Sequence, residues 1–388
     1  MTGSMKILHV FTIISTPVAF FDGQFRYLSD QGYRIDVVSD SEEDTGFTQR
    51  NNIRYRRVEI ERRIAPLADL KSISALCRMI RREKYDAVVG HTPKGAMVAM
   101  MAARLAGVKT RVYYRHGLIY TTAHGLKRFI LKSVERLTAM FANHVVNVSP
   151  SLSRLAVTDC LNPYQKQRVI GKGTCGGIDA KNTFNPDLIS DEELSTLSLS
   201  LGLDSADFVI GFCGRLCKEK GIRELVDGFR LFRQRNSSLP AKLLLVGPYD
   251  QRDVLPDEYV REIETNPDII ATGKIDKARL PYYYALMDVF VFPSYREGFG
   301  MSVLEASAMK VPVLVSRSHG CVDSIVEHVT GEYVDIAAQG ISAGLENMKD
   351  AGVRSNLGVG GRERVLRYYD YSVMWPLVSD FYSELNNK

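Results

Sequence analysis

The stretch VFVFPSYREGFGMSVLE (residues 289–305) decides how this chain folds. VFVFPS (289–294) is continuously apolar, as a strand covered on both faces of a parallel sheet would be. A glycine-containing loop follows, and MSVLE opens a helix. Strand, tight loop and helix start therefore fall within about fifteen residues. Glu297 and Glu305 bracket the loop, straddling a helix amino end. There, unpaired backbone N–H groups and the positive end of the dipole favour anions. A carboxylate accepts several hydrogen bonds at once and suits sugar and ribose hydroxyls; the amides beside it suit a diphosphate. Two glutamates at this spacing mean little alone. Placed here, they let one loop hold a sugar nucleotide at both ends.

Outward from this stretch the same alternation recurs. Strand-like runs in the first half are KILHVFTI (6–13), RIDVVSD (34–40), YDAVVGH (85–91), RVYYRHG (111–117), HVVNVSP (144–150) and RVIGKG (168–173). In the second half they are FVIGFCG (208–214), KLLLVG (242–247), DIIATG (268–273), VFVFPS and VPVLVS (311–316). Helical patterns lie between them, such as RELVDGFRLFRQR (223–235) and ARLPYYYALM (278–287). Strands alternating with helices predict parallel, doubly wound sheets. Two such sets in 388 residues predict two Rossmann-like domains. The boundary is expected at the Gly-, Asn- and Asp-rich TCGGIDAKNTFNPDLISDEE (174–193), giving domains over 1–173 and 174–370. YSVMWPLVSDFYSEL (371–385) has helical spacing, and the terminal segment 371–388 is expected to pack back on the first domain. Ligands of open α/β sheets bind beyond the carboxyl ends of the strands, so two such domains would face each other across a cleft.

Composition narrows the class. The apolar fraction of 45% and charged fraction of 24% are those of a soluble globular protein. The six cysteines are scattered without CxxC pairs and read as reduced thiols in a reducing compartment. AMVAMMAA (96–103), stopped by Arg104, is far short of the ~20 residues that span a bilayer. No signal peptide is expected, and MTGS before Met5 reads as a remnant of an expression vector. Charge is unevenly divided. Residues 1–172 carry 27 Lys and Arg against 14 Asp and Glu, a net +13, and residues 173–388 carry 23 against 31, a net −8. The basic half suits an anionic partner: nucleic acid, an anionic membrane surface or a phosphorylated acceptor. A solvated surface without a partner is the plain alternative.

The second phosphate-handling feature is GRLCKEKG (214–221), directly after a strand. Arg215 and Lys220 lie in its loop, where a cationic pair would grip a diphosphate and neutralise charge as a bond to it breaks. They read equally as two surface cations beside Glu219. A Walker A loop is absent, which disfavours a kinase or ATPase; GxGxxG is absent too, which leaves NAD without its fingerprint. CGGID (175–179) serves as an interdomain turn or a close approach to ligand, and Asp179 either caps the next turn or touches the ligand. His116 ends its strand in YRHG (114–117), where a ligand-facing residue belongs; His91 holds the corresponding place one strand earlier. GLKRFILKSVERLTAMF (125–141) puts Leu126, Ile130, Val134, Leu137 and Phe141 on one helical face, expected to be core. Lys127, Arg128, Lys132 and Arg136 lie off that face and suit acceptor phosphates or anionic headgroups.

GRLCKEKG, LLLVGP, TGKID, YYALMDVFVFPSYREGFGMSVLEASAM, VPVLVS and TGEYV, in this order over 208–333, resemble the GT-B retaining glycosyltransferases of family 4, the group 1 transferases. Weaker resemblance, including GKGTCGGID and RHG, extends over most of the rest. The chain is most similar to the subset that builds bacterial surface polysaccharides and glycans on polyprenyl-diphosphate carriers. The resemblance implies that Arg215 and Lys220 bind the donor diphosphate and that Glu305 accepts from the ribose. It implies that Glu297 holds a sugar hydroxyl near the reacting carbon and that His116 orients the sugar. Amides along Gly298, Phe299, Gly300 and Met301 would contact sugar and phosphate, and the turn carrying Lys274 and Ile275 would face the base. No cofactor and no metal are implied; the cations stand in for one. Three places depart from the family. STPVAFFDGQF (15–25) has only Gly23 where two adjacent glycines are usual, Lys310 stands where Gly is usual after EASAM, and Cys175 replaces a small polar residue.

The expected activity is retaining transfer of a sugar from a UDP-sugar to a lipid-linked acceptor, with UDP following from the resemblance. The expected place is the cytoplasm, peripheral on the inner face of the cytoplasmic membrane, with no nucleic-acid partner. Two alternatives stand beside it: a UDP-sugar epimerase on the same architecture, and a non-catalytic nucleotide-sugar-binding or membrane-docking module.

Overall fold

A computed structural model describes residues 5–63 and 65–386. The MTGS segment read as a vector remnant lies outside them. The chain divides into one unit of 1–177 with 371–388, and a second of 178–370. Both are parallel α/β sheets.

The first sheet contains β1 (Lys6–Val10), β2 (Arg34–Ser39), β3 (Arg54–Arg57), β4 (Ala87–His91), β5 (Thr110–Arg115), β6 (His144–Asn147) and β7 (Gln167–Arg168). Their order is β3-β2-β1-β4-β5-β6-β7. The sequence reading misses β3, RYRR, because an edge strand of arginines carries no apolar run. Its charges are used: Arg54 pairs with Asp36 at 2.9 Å and Glu83 at 3.0 Å, and Arg56 pairs with Glu83 at 2.9 Å. A charged edge also discourages pairing with another chain. The segment 168–173 contributes only Arg168 to the two-residue β7 rather than a full strand. The helix Tyr371–Asn386 belongs to this unit. Its Trp375 donates to the Gly176 carbonyl at 3.1 Å. Trp375 also explains the lone Gly23, where φ is 80° and a Cβ would sit 2.9 Å from the indole.

The second sheet contains β8 (Phe208–Cys213), β9 (Ala241–Val246), β10 (Ile269–Ala271), β11 (Val289–Phe292), β12 (Val313–Ser316) and β13 (Glu332–Val334), in the order β10-β9-β8-β11-β12-β13. Every residue of β8, β11 and β12 is buried, which is why these strands read as unbroken apolar runs.

Lys310, after the helix Met301–Ala308, adopts φ 62°, a left-handed backbone that suits glycine. The turn is held because Gly358 packs on it; a Cβ there would fall 2.1 Å from the Lys310 carbonyl oxygen. Relieving the left-handed strain by Lys310→Gly is expected to add ~0.5–1 kcal/mol of stability. Lys310→Ala, which keeps the strain, adds none. Denaturant midpoints at unchanged slope read this directly, and equal midpoints for the two variants would refute it.

Candidate functional site

In the second sheet β8 has β9 on one side and β11 on the other, and the chain winds away from this pair in both directions. The β8/β11 seam is the topological switch point, where open α/β sheets bind ligands. The loop Gly214–Gly221 leaves β8 and the loop Pro293–Gly300 leaves β11, so the two motifs read from the sequence emerge side by side.

Two glycines permit close approaches here, Gly221 between these two loops and Gly320 from the loop after β12. Gly221 has φ 70°, and a Cβ on it would lie 2.2 Å from the Pro293 carbonyl oxygen. Gly320 has φ 82° and would meet the Glu297 carbonyl oxygen at 2.5 Å and that of Gly298 at 2.8 Å. Glu219 ties the loops: its carbonyl accepts from Tyr295 N–H at 2.9 Å and the Ser294 hydroxyl at 3.3 Å, and its carboxylate pairs with the Arg296 guanidinium at 2.6 Å, while Glu297 N–H donates to the His319 carbonyl at 3.3 Å in the loop after β12. Glu219 is thus a structural brace of the loop pair.

The charged residues meet as pairs. Lys220 Nζ is bonded to Glu297 Oε1, both side chains largely buried, and lies 5.4 Å over the Phe292 ring. Arg215 is bonded to Asp250, whose carboxylate is 5% exposed while the arginine is half exposed. Asp250 is itself fixed by the Arg252 amide at 2.7 Å and the Asp253 amide at 3.3 Å. Neither cation is used up. An ammonium has three donors and a guanidinium five, so each retains N–H groups for a second anion. Asp250 escapes the sequence reading, since it lies just past LLLVGP with nothing to mark it as the anchor of Arg215.

Glu305 Oε2 accepts from the Tyr284 hydroxyl at 2.8 Å. Burial raises its carboxyl above the ordinary value, opposed by the Tyr284 hydrogen bond and the charge of Lys277. Beside it, burial and the Glu305 charge push the Cys213 thiol up to about 12, so it is an inert thiol. Tyr284 was legible only as part of a helical pattern; its role as the orienter of Glu305 is tertiary. The turn after β10 exposes Lys274 and half-buries Ile275, with Gly273 at φ 67°.

The amides expected to serve a ligand divide. Met301 N–H already donates to the Phe299 carbonyl at 2.7 Å. Those of Phe299 and Gly300 have no partner among the described residues. The Phe299 side chain is core, its ring 5.5 Å from that of Tyr369. Asp179 caps its turn, accepting from Asn182 N–H at 3.3 Å and the Thr183 hydroxyl at 2.7 Å, which decides its two readings.

In the first unit His116 follows β5 and is bonded to His91 at 2.9 Å. The helix Gly125–Phe141 departs from its expected orientation over most of its length. Of the expected face Leu126, Ile130 and Leu137 are exposed, as are Phe129 and Met140, while Val134 and Phe141 are half-buried, Phe141 against the core; Glu135, Thr138 and Ala139 are buried. The physical reason is Glu135, which accepts from Tyr113 at 2.8 Å and from the fully buried Arg115 at 3.3 Å. That polar anchor turns most of the apolar stripe outward. Two of the four cations are also taken: Lys132 pairs with Asp159 at 2.7 Å, and Arg136 donates to the Asp159 and Cys160 carbonyls. Lys127 and Arg128 remain on the exposed surface.

Two family models cover most of the chain: "Glycosyl transferase 4-like domain" over residues 17–173 and "Glycosyl transferases group 1" over 207–348. The chain belongs to the group 1 glycosyltransferases. It is similar to the capsular polysaccharide biosynthesis glycosyltransferase CapM of Staphylococcus aureus, with 28% identity over 98% of this chain and 97% of that one. It is also similar to an N,N'-diacetylbacillosaminyl-diphospho-undecaprenol alpha-1,3-N-acetylgalactosaminyltransferase of Campylobacter jejuni, with 24% identity over 78% of each chain. Among solved structures, Anabaena HepE with UDP and glucose superposes with a TM-score of 0.79 at 18% identity, covering 98% of this chain and 99% of that one. The GT-B fold of this glycosyltransferase is therefore shared across nearly its whole length.

Proposed function

We propose that this group 1 glycosyltransferase transfers a hexose or N-acetylhexosamine from a UDP-sugar to a saccharide on a polyprenyl diphosphate, with retention at the anomeric carbon, in cell-surface polysaccharide assembly. The observation that carries the reading is the Lys220–Glu297 pair at the β8/β11 switch point, with Arg215 held beside it by Asp250. Spare donors on both cations and the Phe299 and Gly300 amides bind the diphosphate. Glu305, oriented by Tyr284, accepts from the ribose, and the turn at Lys274 and Ile275 faces the base. Glu297 holds a sugar hydroxyl, as does His116. Cleavage of the bond between the anomeric carbon and the phosphate oxygen leaves its electron pair on the diphosphate, which the cations stabilise. The sugar becomes oxocarbenium-like. The acceptor hydroxyl attacks from the face the diphosphate leaves and gives its proton to a phosphate oxygen. UDP is supported by the company of the fold, since HepE was solved with UDP, and the lipid-linked acceptor by the Campylobacter relative.

A panel of sugar nucleotides tests the donor. A specific one at 100 times its Kd stabilises the protein by about 2.7 kcal/mol. The expected result is a melting-temperature rise with one UDP-sugar and none with GDP- or ADP-sugars. Unchanged melting with every UDP-sugar would overturn the donor assignment. Anomeric configuration of the product tests retention, and incubation with donor alone separates transfer from epimerisation.

The same reading places the protein peripherally on the inner face of the cytoplasmic membrane. No helix among the described residues is long and apolar enough to cross a membrane. Exposed Leu126, Phe129 and Met140, with Lys127 and Arg128 beside them, supply apolar insertion and cationic attraction. Sedimentation with anionic vesicles is expected, weakening as salt rises and falling further in Phe129→Glu. Absence of vesicle binding at low salt would refute this placement.

A further inference from the structure

Three histidines of the first unit form a chain, of which the transfer mechanism above uses only His116. His9 lies in β1, His91 ends β4 and His116 follows β5, on three neighbouring strands. The register pairs His9 with Val89 and His91 with Tyr114, so each imidazole sits two residues further along than the one before, on one sheet face. His9 Nδ1 and His91 Nε2 are 2.9 Å apart, as are His91 Nδ1 and His116 Nε2. The two end atoms, His9 Nε2 and His116 Nδ1, are buried without a partner.

We infer that His9, His91 and His116 are a one-way hydrogen-bonded chain that keeps His116 Nδ1 an unprotonated acceptor, so that the ligand atom it meets is a hydroxyl and not a phosphate oxygen. Burial holds all three neutral at pH 7: His9 falls to about 3, His116 to about 4, and His91 well below its ordinary value, with repulsion from the other two adding to its burial. A neutral imidazole has one donor and one acceptor. His91 spends both, so the protons run in a single direction and only two orderings exist.

The intrinsic preference of the ring chooses between them. One ordering puts the proton on Nε2 in all three imidazoles and the other puts it on Nδ1 in all three, and a neutral imidazole favours Nε2. The His9 ring packs among aromatic side chains, its centroid 4.7 Å from that of Phe25 and 6.2 Å from that of Tyr382. The proton therefore sits on His9 Nε2. His91 Nε2–H then donates to His9 Nδ1, and His116 Nε2–H donates to His91 Nδ1. Every ring adopts the Nε2–H form that a free neutral imidazole prefers. His116 Nδ1 is left as a lone pair that accepts an O–H and repels an anionic oxygen. His9 and His91 are positioning residues; His116 alone meets the ligand. The tautomer follows from the protein by itself, while the sugar as source of the hydroxyl rests on the function proposed above.

Full-length protein labelled with nitrogen-15 in histidine, free of nucleotide, provides the test. Long-range proton–nitrogen correlations at pH 7 assign the proton of each ring. The expected spectrum has Nε2 protonated in His9, His91 and His116; a proton on His116 Nδ1 overturns the proposal. Transfer assays form the second arm. His9→Leu strips His91 of its acceptor and is expected to mix the His116 tautomers and lower kcat/KM about tenfold, the order of one hydrogen bond. His9→Asn, whose Oδ1 replaces Nδ1, is expected to restore both. An unchanged His116 ring and rate in His9→Leu would remove His9 from its role. If His9→Leu does not fold, the wild-type spectrum decides alone. A spectrum as expected without any sugar transfer would defeat the proposed function and leave the chain standing.

Discussion

Glu297→Ala is expected to lower kcat by about 10²–10³-fold, with little rise in the donor KM. Glu297 is bonded to Lys220 in the free protein, with both side chains largely buried. Its removal frees Lys220 for the diphosphate, so ground-state binding of the anion does not weaken. The loss falls on the sugar, whose hydroxyl loses the carboxylate that holds it as positive charge develops at the anomeric carbon. Glu297→Gln keeps a hydrogen-bonding group without the charge and is expected to fall between the two. Initial rates across a donor series separate the constants. Turnover near wild type in the alanine variant would take Glu297 out of the mechanism.

Gly221→Ala is expected to destabilise the protein by about 3 kcal/mol through combined backbone strain and overpacking. Its φ is 70°, and the new methyl would lie 2.2 Å from the Pro293 carbonyl oxygen, which cannot move without displacing the loop that carries Glu297. Gly202 is the control. It has φ 67° with nothing within 4 Å, so Gly202→Ala meets only the left-handed penalty, about 1 kcal/mol. Denaturant midpoints compare the two. Equal losses would mean that the approach of the two loops is not tight. Gly221→Ala is also expected to abolish stabilisation by the UDP-sugar, because the loop that carries Lys220 no longer meets the loop that carries the Phe299 and Gly300 amides.

The strands of both sheets were legible wherever burial on two faces produced an apolar run, as in FVIGFC and VFVF. β3 was not, because RYRR at a sheet edge is held by ion pairs to Asp36 and Glu83, and ion pairs leave no periodicity. The candidate site was legible as residue types at strand ends: Arg215 and Lys220 after one strand, Glu297 and Glu305 around the next. Its anchors were not. Asp250 and Tyr284 are ordinary residues in ordinary patterns until the fold sets them against Arg215 and Glu305. The helix 125–141 shows the limit most clearly. Its amphipathic stripe was correct as a stripe, but Leu126, Ile130 and Leu137 face outward and only Val134 and Phe141 are half-buried. Periodicity measures apolar against polar, and a buried Glu135 bonded to Tyr113 and Arg115 reverses the inference.

The sequence by itself determined the alternation of strands and helices and the chemistry available at the strand ends, because backbone geometry and burial act locally on each segment. Tertiary structure alone decided that Lys220 meets Glu297, that Gly221 lets two loops close on each other with Gly320 packed against one of them, and that most of an apolar helix face looks outward. Those outcomes depend on strand order and on contacts between residues 20 to 77 positions apart, and no local pattern encodes which distant partner a side chain will meet.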